Sequence, residues 1–204
     1  MQVSITKSFR GLALSAGVLT GALALALAPP VVAKPAHKAP ITQKASITEA
    51  EVNAAQQAWC DALVKIGKVY QDGGDYKAVA SRLIDELYDY KDGKVFFKPT
   101  KAYGKNTFRP TKEGALSYFV GGNPSFPEDK GFALEPWVKV RYDNNAAPNG
   151  IQIHGDIGIT MGNVYFTNTK GEEVKVDKTF VFRRGRDRKL RLCVHHSSLP
   201  YSPG

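Results

Sequence analysis

From Trp137 to Ser198 the chain alternates apolar and polar residues with period two, in the runs WVKVRY, GIQIHGDIGI, GNVYFTN, EVKVDKTFVF and KLRLCVHHSS. That period sends successive side chains to opposite faces, so each run reads as a half-buried strand. The breaks Asn144-Asn145, Thr169-Lys170-Gly171 and Arg184-Gly185-Arg186 carry residues suited to hairpin turns. Strands joined by short turns pair antiparallel, and a sheet with one apolar face needs a second layer to cover it.

The earlier part of the chain supplies that layer. Val52, Ala55, Trp59, Leu63, Ile66 and Tyr70 recur at three-to-four spacing, which predicts an amphipathic helix. Its start is placed at Ser46, spaced from Glu49 as in a capping box, and its end at Gly73-Gly74. A second helix runs from Asp75 through Ala80, Leu83, Ile84 and Leu87. After the turn at Lys91-Asp92-Gly93, KVFFKPT reads as a short strand closed by Pro99, and Thr111 opens a third helix, KEGALSYFV, which ends at Gly121-Gly122. GGNPSFPEDKGFALEP is a long Pro/Gly-rich loop, the kind of segment that walls a pocket. The expected fold is therefore α+β, a single domain over residues 46–204 with a curved antiparallel sheet backed by about three helices.

Lys7 and Arg10 precede an uncharged apolar run from Gly11 to Ala28, and Val31 and Ala33 then offer small residues for cleavage after Ala33. This is the three-part pattern of a signal peptide over residues 1–33. Residues 34–45, KPAHKAPITQKA, read as a flexible tether. Export to the periplasm or beyond the cell is expected, with no stable membrane insertion after cleavage. The net charge of +9 loses the cations Lys7 and Arg10 with the leader. An exported basic protein meets envelope anions rather than nucleic acid, so no nucleic-acid partner is expected. An oxidising compartment would let Cys60 and Cys193 pair, while two buried thiols fit the sequence equally well.

His154, His195 and His196 invite a zinc reading, but a catalytic zinc takes three converging protein ligands. Neighbours on a strand, His195 and His196 leave opposite faces, and the chain has no HExxH and no CxxC pair. Period two groups Cys193, His195 and Ser197 on one face of the last strand and Val194, His196 and Ser198 on the other. An inward imidazole or hydroxyl needs a partner or a wet pocket, although a strand end running out into solvent is the plainer reading. No GxSxG elbow activates a serine. Arg183, Arg184, Arg186, Arg188 and Arg191 surround Gly185 and read as a solvated hairpin tip, and Tyr118, on pattern alone, reads as a core aromatic.

Taken together, FKPT, TFRPT, GALSYFVGG, GFALEPW, GDIGITMGNVYFTN, VDKTFVF and LRLCVHHSSLPY resemble the iota-class carbonic anhydrases of bacteria and algae. The resemblance spans about residues 46 to 203, and HHSSLPY is its most specific motif. It implies a nuclear-transport-factor-like (cystatin-like) cone, similar to the association domain of calcium/calmodulin-dependent protein kinase. It also implies reversible hydration of carbon dioxide to bicarbonate and a proton. Carried over residue by residue, it implies catalytic roles for Thr100, Tyr118, His195 and Ser197, with substrate contacts from Thr100, Tyr118, Ser197 and Ser198. Strand parity with His195 selects Ser197 over Ser198. Thr100 and Ser197 are expected to position water and carbon dioxide, Tyr118 to bind the developing oxyanion or relay a proton, and His195 to assist proton exchange. Members of the class have been described as metal-independent and as metal-using. The missing His triad points to no metal here, with zinc or manganese as the alternative. A homodimer is expected by analogy, through the exposed sheet face. Because fold does not fix function, the competing reading is a non-catalytic oligomerisation or small-ligand-binding module. Convergence of Thr100, Tyr118 and His195 on one cavity separates the two.

Overall fold

The computed structural model describes residues 46–146 and 150–203, and the signal peptide and tether expected before Ser46 lie outside the described residues. Helix α1 spans Glu49–Gln71, α2 Tyr76–Leu87 and α3 Lys112–Val120. The capping box of α1 sits two residues later than expected: Thr48 accepts from the Glu51 backbone N–H, and the Glu51 carboxylate accepts from the Thr48 N–H at 2.9 Å. Thr48 does what Ser46 was expected to do because it lies directly before the first helical residue. Asp75 and Thr111 cap α2 and α3, and α3 ends at Gly121, whose φ of 65° suits a residue without a Cβ.

Six strands form one sheet: β1 Phe96–Lys98, β2 Trp137–Asp143, β3 Ile151–His154, β4 Ile157–Asn168, β5 Glu173–Arg184 and β6 Leu190–Ser198. The order is β1-β6-β5-β4-β2, with β3 pairing the first part of β4 and β2 its second part. Two expectations are corrected. GIQIHGDIGI is not one strand: it folds back at Gly155, whose φ is 60°, and its second half runs on into GNVYFTN as the 12-residue β4. The sheet is also mixed, since β1 pairs parallel to β6 with Phe97 opposite His195. The chain leaves β1 for α3 and returns through the other strands, so the first strand meets the last along an edge that no hairpin could close.

One sheet face carries Val164 and Phe166 of β4 with Val176, Phe180 and Phe182 of β5, all buried. Trp59 of α1 lies edge-on to Phe180 with centroids 5.1 Å apart, so the apolar stripe of α1 covers this face. A bulge opposite Val181 and Phe182 inserts Cys193 into β6. Strict parity would group Cys193 with His195, but the bulge resets the count, so Leu192, His195 and Ser197 are buried while Cys193 is only half-buried with its Sγ on the Val181 carbonyl. Cys60 and Cys193 are both free thiols.

The arginine hairpin is tied down rather than solvated throughout. Arg184 is buried and donates to the Glu51 carboxylate at 2.8 and 2.9 Å, joining β5 to the start of α1. Arg183 pairs with buried Asp89, and Arg191 with Asp187 at 2.7 Å, which leaves Arg186 and Arg188 exposed at the tip.

Candidate active site

Pro99 ends β1, so Thr100 projects beside the end of β6, where its Oγ1 lies 2.6 Å from Ser197 Oγ. Ser197 is fully buried because the bulge at Cys193 turns it inward. Its Oγ also accepts from Lys178 Nζ at 3.0 Å, and Lys178 Nζ stands 3.0 Å from His195 Nε2. His195 Nδ1 is 2.8 Å from Tyr88 Oη, which accepts from Trp59 Nε1–H at 2.9 Å. A continuous polar chain thus runs from Thr100 through Ser197, Lys178, His195 and Tyr88 to the indole of Trp59. It draws on α1, β5 and β6 and on the residues that follow α2 and β1. Each link has a partner, as buried polar groups require.

Burial sets the charges along this chain. Desolvation, then the nearby Lys178 and His196, holds the His195 imidazole well below its ordinary value, so the ring is neutral. Desolvation also brings the Lys178 ammonium down from 10.5 to about 7, with Cys60 opposing the fall and Lys98 adding to it. The Nζ lies 4.6 Å from the centre of the Trp59 ring, an arrangement that favours the charged form and keeps both protonation states accessible. Tyr88 is pushed well above the usual phenol range by burial.

Tyr118 is buried, as a core aromatic would be, yet it lines a cavity. The ring stacks on Phe132 with centroids 5.5 Å apart and stands edge-on to Phe97. Its Oη accepts the Lys101 backbone N–H at 3.4 Å, and burial raises the phenol so that it stays protonated as a donor. The cavity, about 280 Å³, is walled by Lys101, Tyr103, Tyr118, Asp129 and Phe132. At roughly 30 Å³ per water it has room for carbon dioxide and several waters. The wall from the Pro/Gly-rich loop is held by a buried ion pair: Arg109 donates to Asp129 at 2.7 Å, and Ser117, beside Tyr118, donates to the other Asp129 oxygen at 2.7 Å.

The structure therefore brings Thr100 and Ser197 into direct contact and sets Tyr118 next to them, across the Lys101 backbone. His195 is placed one step behind, both nitrogens turned to protein partners, and of Thr100, Tyr118 and His195 only Tyr118 lines the cavity, so the expected convergence of all three on it is not met. Ser198 lies on the opposite sheet face, along a groove with His196 and Met161. Lys178, Tyr88 and Trp59 are the members that sequence reasoning missed. For Lys178 a signal exists in VDKTFVF, whose alternation puts it in phase with Val176, Phe180 and Phe182. Among the described residues no three His, Cys, Asp or Glu side chains are grouped to hold a metal.

The family model described as metal-independent carbonic anhydrase matches residues 50–199. A metal-independent carbonic anhydrase of Nostoc sp. (strain PCC 7120) is 51% identical over 166 residues, covering 80% of this chain and 78% of that protein. The crystal structure of an iota-carbonic anhydrase from a cyanobacterium, complexed with bicarbonate, is 49% identical, covers 81% of this chain and 99% of the other, and superposes with a TM-score of 0.75. A match across nearly the whole described domain, together with the hydroxyl cluster of Thr100, Ser197 and Tyr118, assigns the chain to the metal-independent carbonic anhydrase family.

Proposed function

We propose that the chain hydrates carbon dioxide reversibly to bicarbonate and a proton in the cavity beside Tyr118, with protein hydroxyls in place of a metal. The observation that carries the proposal is the 2.6 Å contact of Thr100 with Ser197, next to a protonated phenol, in a chain of this family. The bicarbonate bound in the cyanobacterial relative supports the same substrate here.

A bound zinc would bring the pKa of water to about 7, and hydroxyls have no comparable effect. The site must therefore orient water, accept its proton as attack proceeds and stabilise charge on the product. Thr100, held by Ser197 at 2.6 Å, stands beside Tyr118 and directly before Lys101 of the cavity wall, the position from which it would orient water. Tyr118, protonated and with its Oη near the Lys101 N–H and the Thr100 side chain, donates its phenolic hydrogen to the oxygen of carbon dioxide that becomes negative. Phe97 and Phe132 pack on the Tyr118 ring and keep the phenol neutral, and Phe132 adds apolar surface to the cavity wall. His195 does not reach the cavity; it fixes Lys178 from behind.

Export, with cleavage after Ala33 and a working place in the periplasm or outside the cell, is part of the same proposal and is supported by the charged and then apolar leader. None of the described helices is long and apolar enough to cross a membrane. A homodimer joined through the outer sheet face is supported by exposed Val138 and Met161.

The test is carbon dioxide hydration by purified protein after chelator treatment, with metal analysis of the same sample. Turnover should survive removal of metal. Activity that appears only on adding zinc or manganese overturns the metal-free part, and no activity in any state overturns the whole.

A further inference from the structure

Hydration turns two neutral molecules into an anion and a proton. That proton must leave the reacting water as attack proceeds. The cavity wall carries Glu128, Asp129 and Glu135, with Asp129 held by Arg109 and Ser117 and Glu128 beside Arg109. The hydroxyl pair of Thr100 and Ser197 leads elsewhere, to Lys178, one hydroxyl behind Thr100.

We infer that Lys178 takes up the proton released when carbon dioxide is hydrated, receiving it through the hydroxyls of Ser197 and Thr100. The inference rests on the carbonic anhydrase reading and adds to it the proton's route and destination. Nζ to Ser197 Oγ is 3.0 Å and Ser197 Oγ to Thr100 Oγ1 is 2.6 Å, both hydrogen-bond distances. As water attacks, its oxygen bonds the carbon of carbon dioxide and one C=O π pair moves onto oxygen. The water proton passes to Thr100 Oγ1, the Thr100 proton to Ser197 Oγ and the Ser197 proton to Nζ. The result is bicarbonate and an ammonium, with the total charge of the site unchanged. After bicarbonate leaves, the ammonium returns its proton by the same hydroxyls to water or a buffer base. Lys178 itself does not touch the substrate.

The surroundings fit a lysine that works in both charge states. The ionisable groups facing it are Cys60 on α1, Lys98 on β1 and His195 on β6, and no carboxylate is among those that set its charge. A carboxylate would lock the ammonium in place. Burial instead lowers it to about 7, while the rings of Trp59, Phe180 and Phe166, at 4.6, 5.7 and 5.9 Å, offer π faces to the cation. An ammonium can only donate, so His195 Nε2 must accept from it. The ring then carries its hydrogen on Nδ1, donated to Tyr88 Oη. With that tautomer the neutral amine also donates to Nε2 and turns its lone pair to Ser197, ready for the next proton. The opposite tautomer would occupy the lone pair with Nε2–H and block the route.

The experiment has two arms. In the first, ¹⁵N and ¹³C NMR of the full folded protein follows Lys178 Nζ and the His195 ring against pH. Lys178 is expected to titrate near 7, with the ring keeping its hydrogen on Nδ1. A Lys178 titrating in the ordinary range above 10, or a ring protonated on Nε2 above pH 8, overturns the inference. In the second, Lys178→Met is compared with the parent for carbon dioxide hydration across pH 5.5 to 9. The parent rate should rise through about pH 7, and the variant should lose at least tenfold in turnover together with that inflection. A folded variant with the parent's turnover and inflection overturns the inference, and if the variant does not fold the NMR arm decides. A parent without hydration activity would instead refute the enzyme reading, which the NMR arm does not depend on.

Discussion

Asp129 is where the stability of the fold and the shape of the site meet, and Asp129→Asn tests both. The carboxylate is buried and accepts Arg109 Nη2 at 2.7 Å on one oxygen and Ser117 Oγ at 2.7 Å on the other. Arg109 has no exposed side-chain surface. An amide of the same shape offers one acceptor oxygen instead of two and no charge, so one donor loses its partner and the guanidinium its counter-charge. Removing one partner of a buried pair costs about 3–5 kcal/mol. Glu128, 3.5 Å from the same nitrogen, compensates in part, which places the loss near the lower end, about 3 kcal/mol. For a domain of this size that lowers Tm by roughly 6–12 °C. Urea unfolding followed by circular dichroism should show a lower midpoint at unchanged slope. Turnover should fall as well at temperatures where the variant is folded, because Asp129 lines the cavity and Ser117 adjoins Tyr118. A change in unfolding free energy under about 1 kcal/mol, the scale of an ordinary hydrogen bond, would refute the claim that this pair closes the loop over the site.

Tyr118→Phe should leave stability within about 1 kcal/mol, since the hydroxyl makes a long contact to the Lys101 N–H and one to the Thr100 side chain, while turnover falls by roughly 10²–10³ as for loss of an oxyanion donor; stopped-flow hydration and a thermal melt on one sample separate these outcomes. The Arg184 guanidinium, followed by the Thr48 backbone, holds Glu51 down at about 2 from 4.5. A depressed acid stabilises the fold fully above its unfolded value and loses that contribution as pH falls through the folded one. The Tm penalty of Glu51→Gln should therefore be largest above pH 4.5 and vanish by about pH 2; a penalty constant over this range would show that the ion pair is not its source.

Much of the architecture was legible because it is local. Helix stripes, Asp75 and Thr111 as caps, Gly121 as a stop and the outline of the strands follow from periodicity and from backbone groups seeking partners within a few residues. The Thr100 and Ser197 pair was legible through the family motifs rather than from spacing. Where parity counting failed, it failed at the Cys193 bulge, since one inserted residue leaves no mark in the pattern of a short strand.

By itself the sequence determined the helices, the outline of the strands, most of the faces they bury and the hydroxyls that the family motifs single out. Tertiary structure decided what stands behind those hydroxyls. Lys178 is in phase with buried residues, yet lysine is almost never fully buried, so pattern and residue type give opposite answers until the partners are known. Those partners, His195 and Ser197, are 17 and 19 residues away, and Tyr88 is 107 residues from His195. Period and composition report on near neighbours. A buried amine is tolerated only where distant segments converge to satisfy it, and only the folded chain shows that they do.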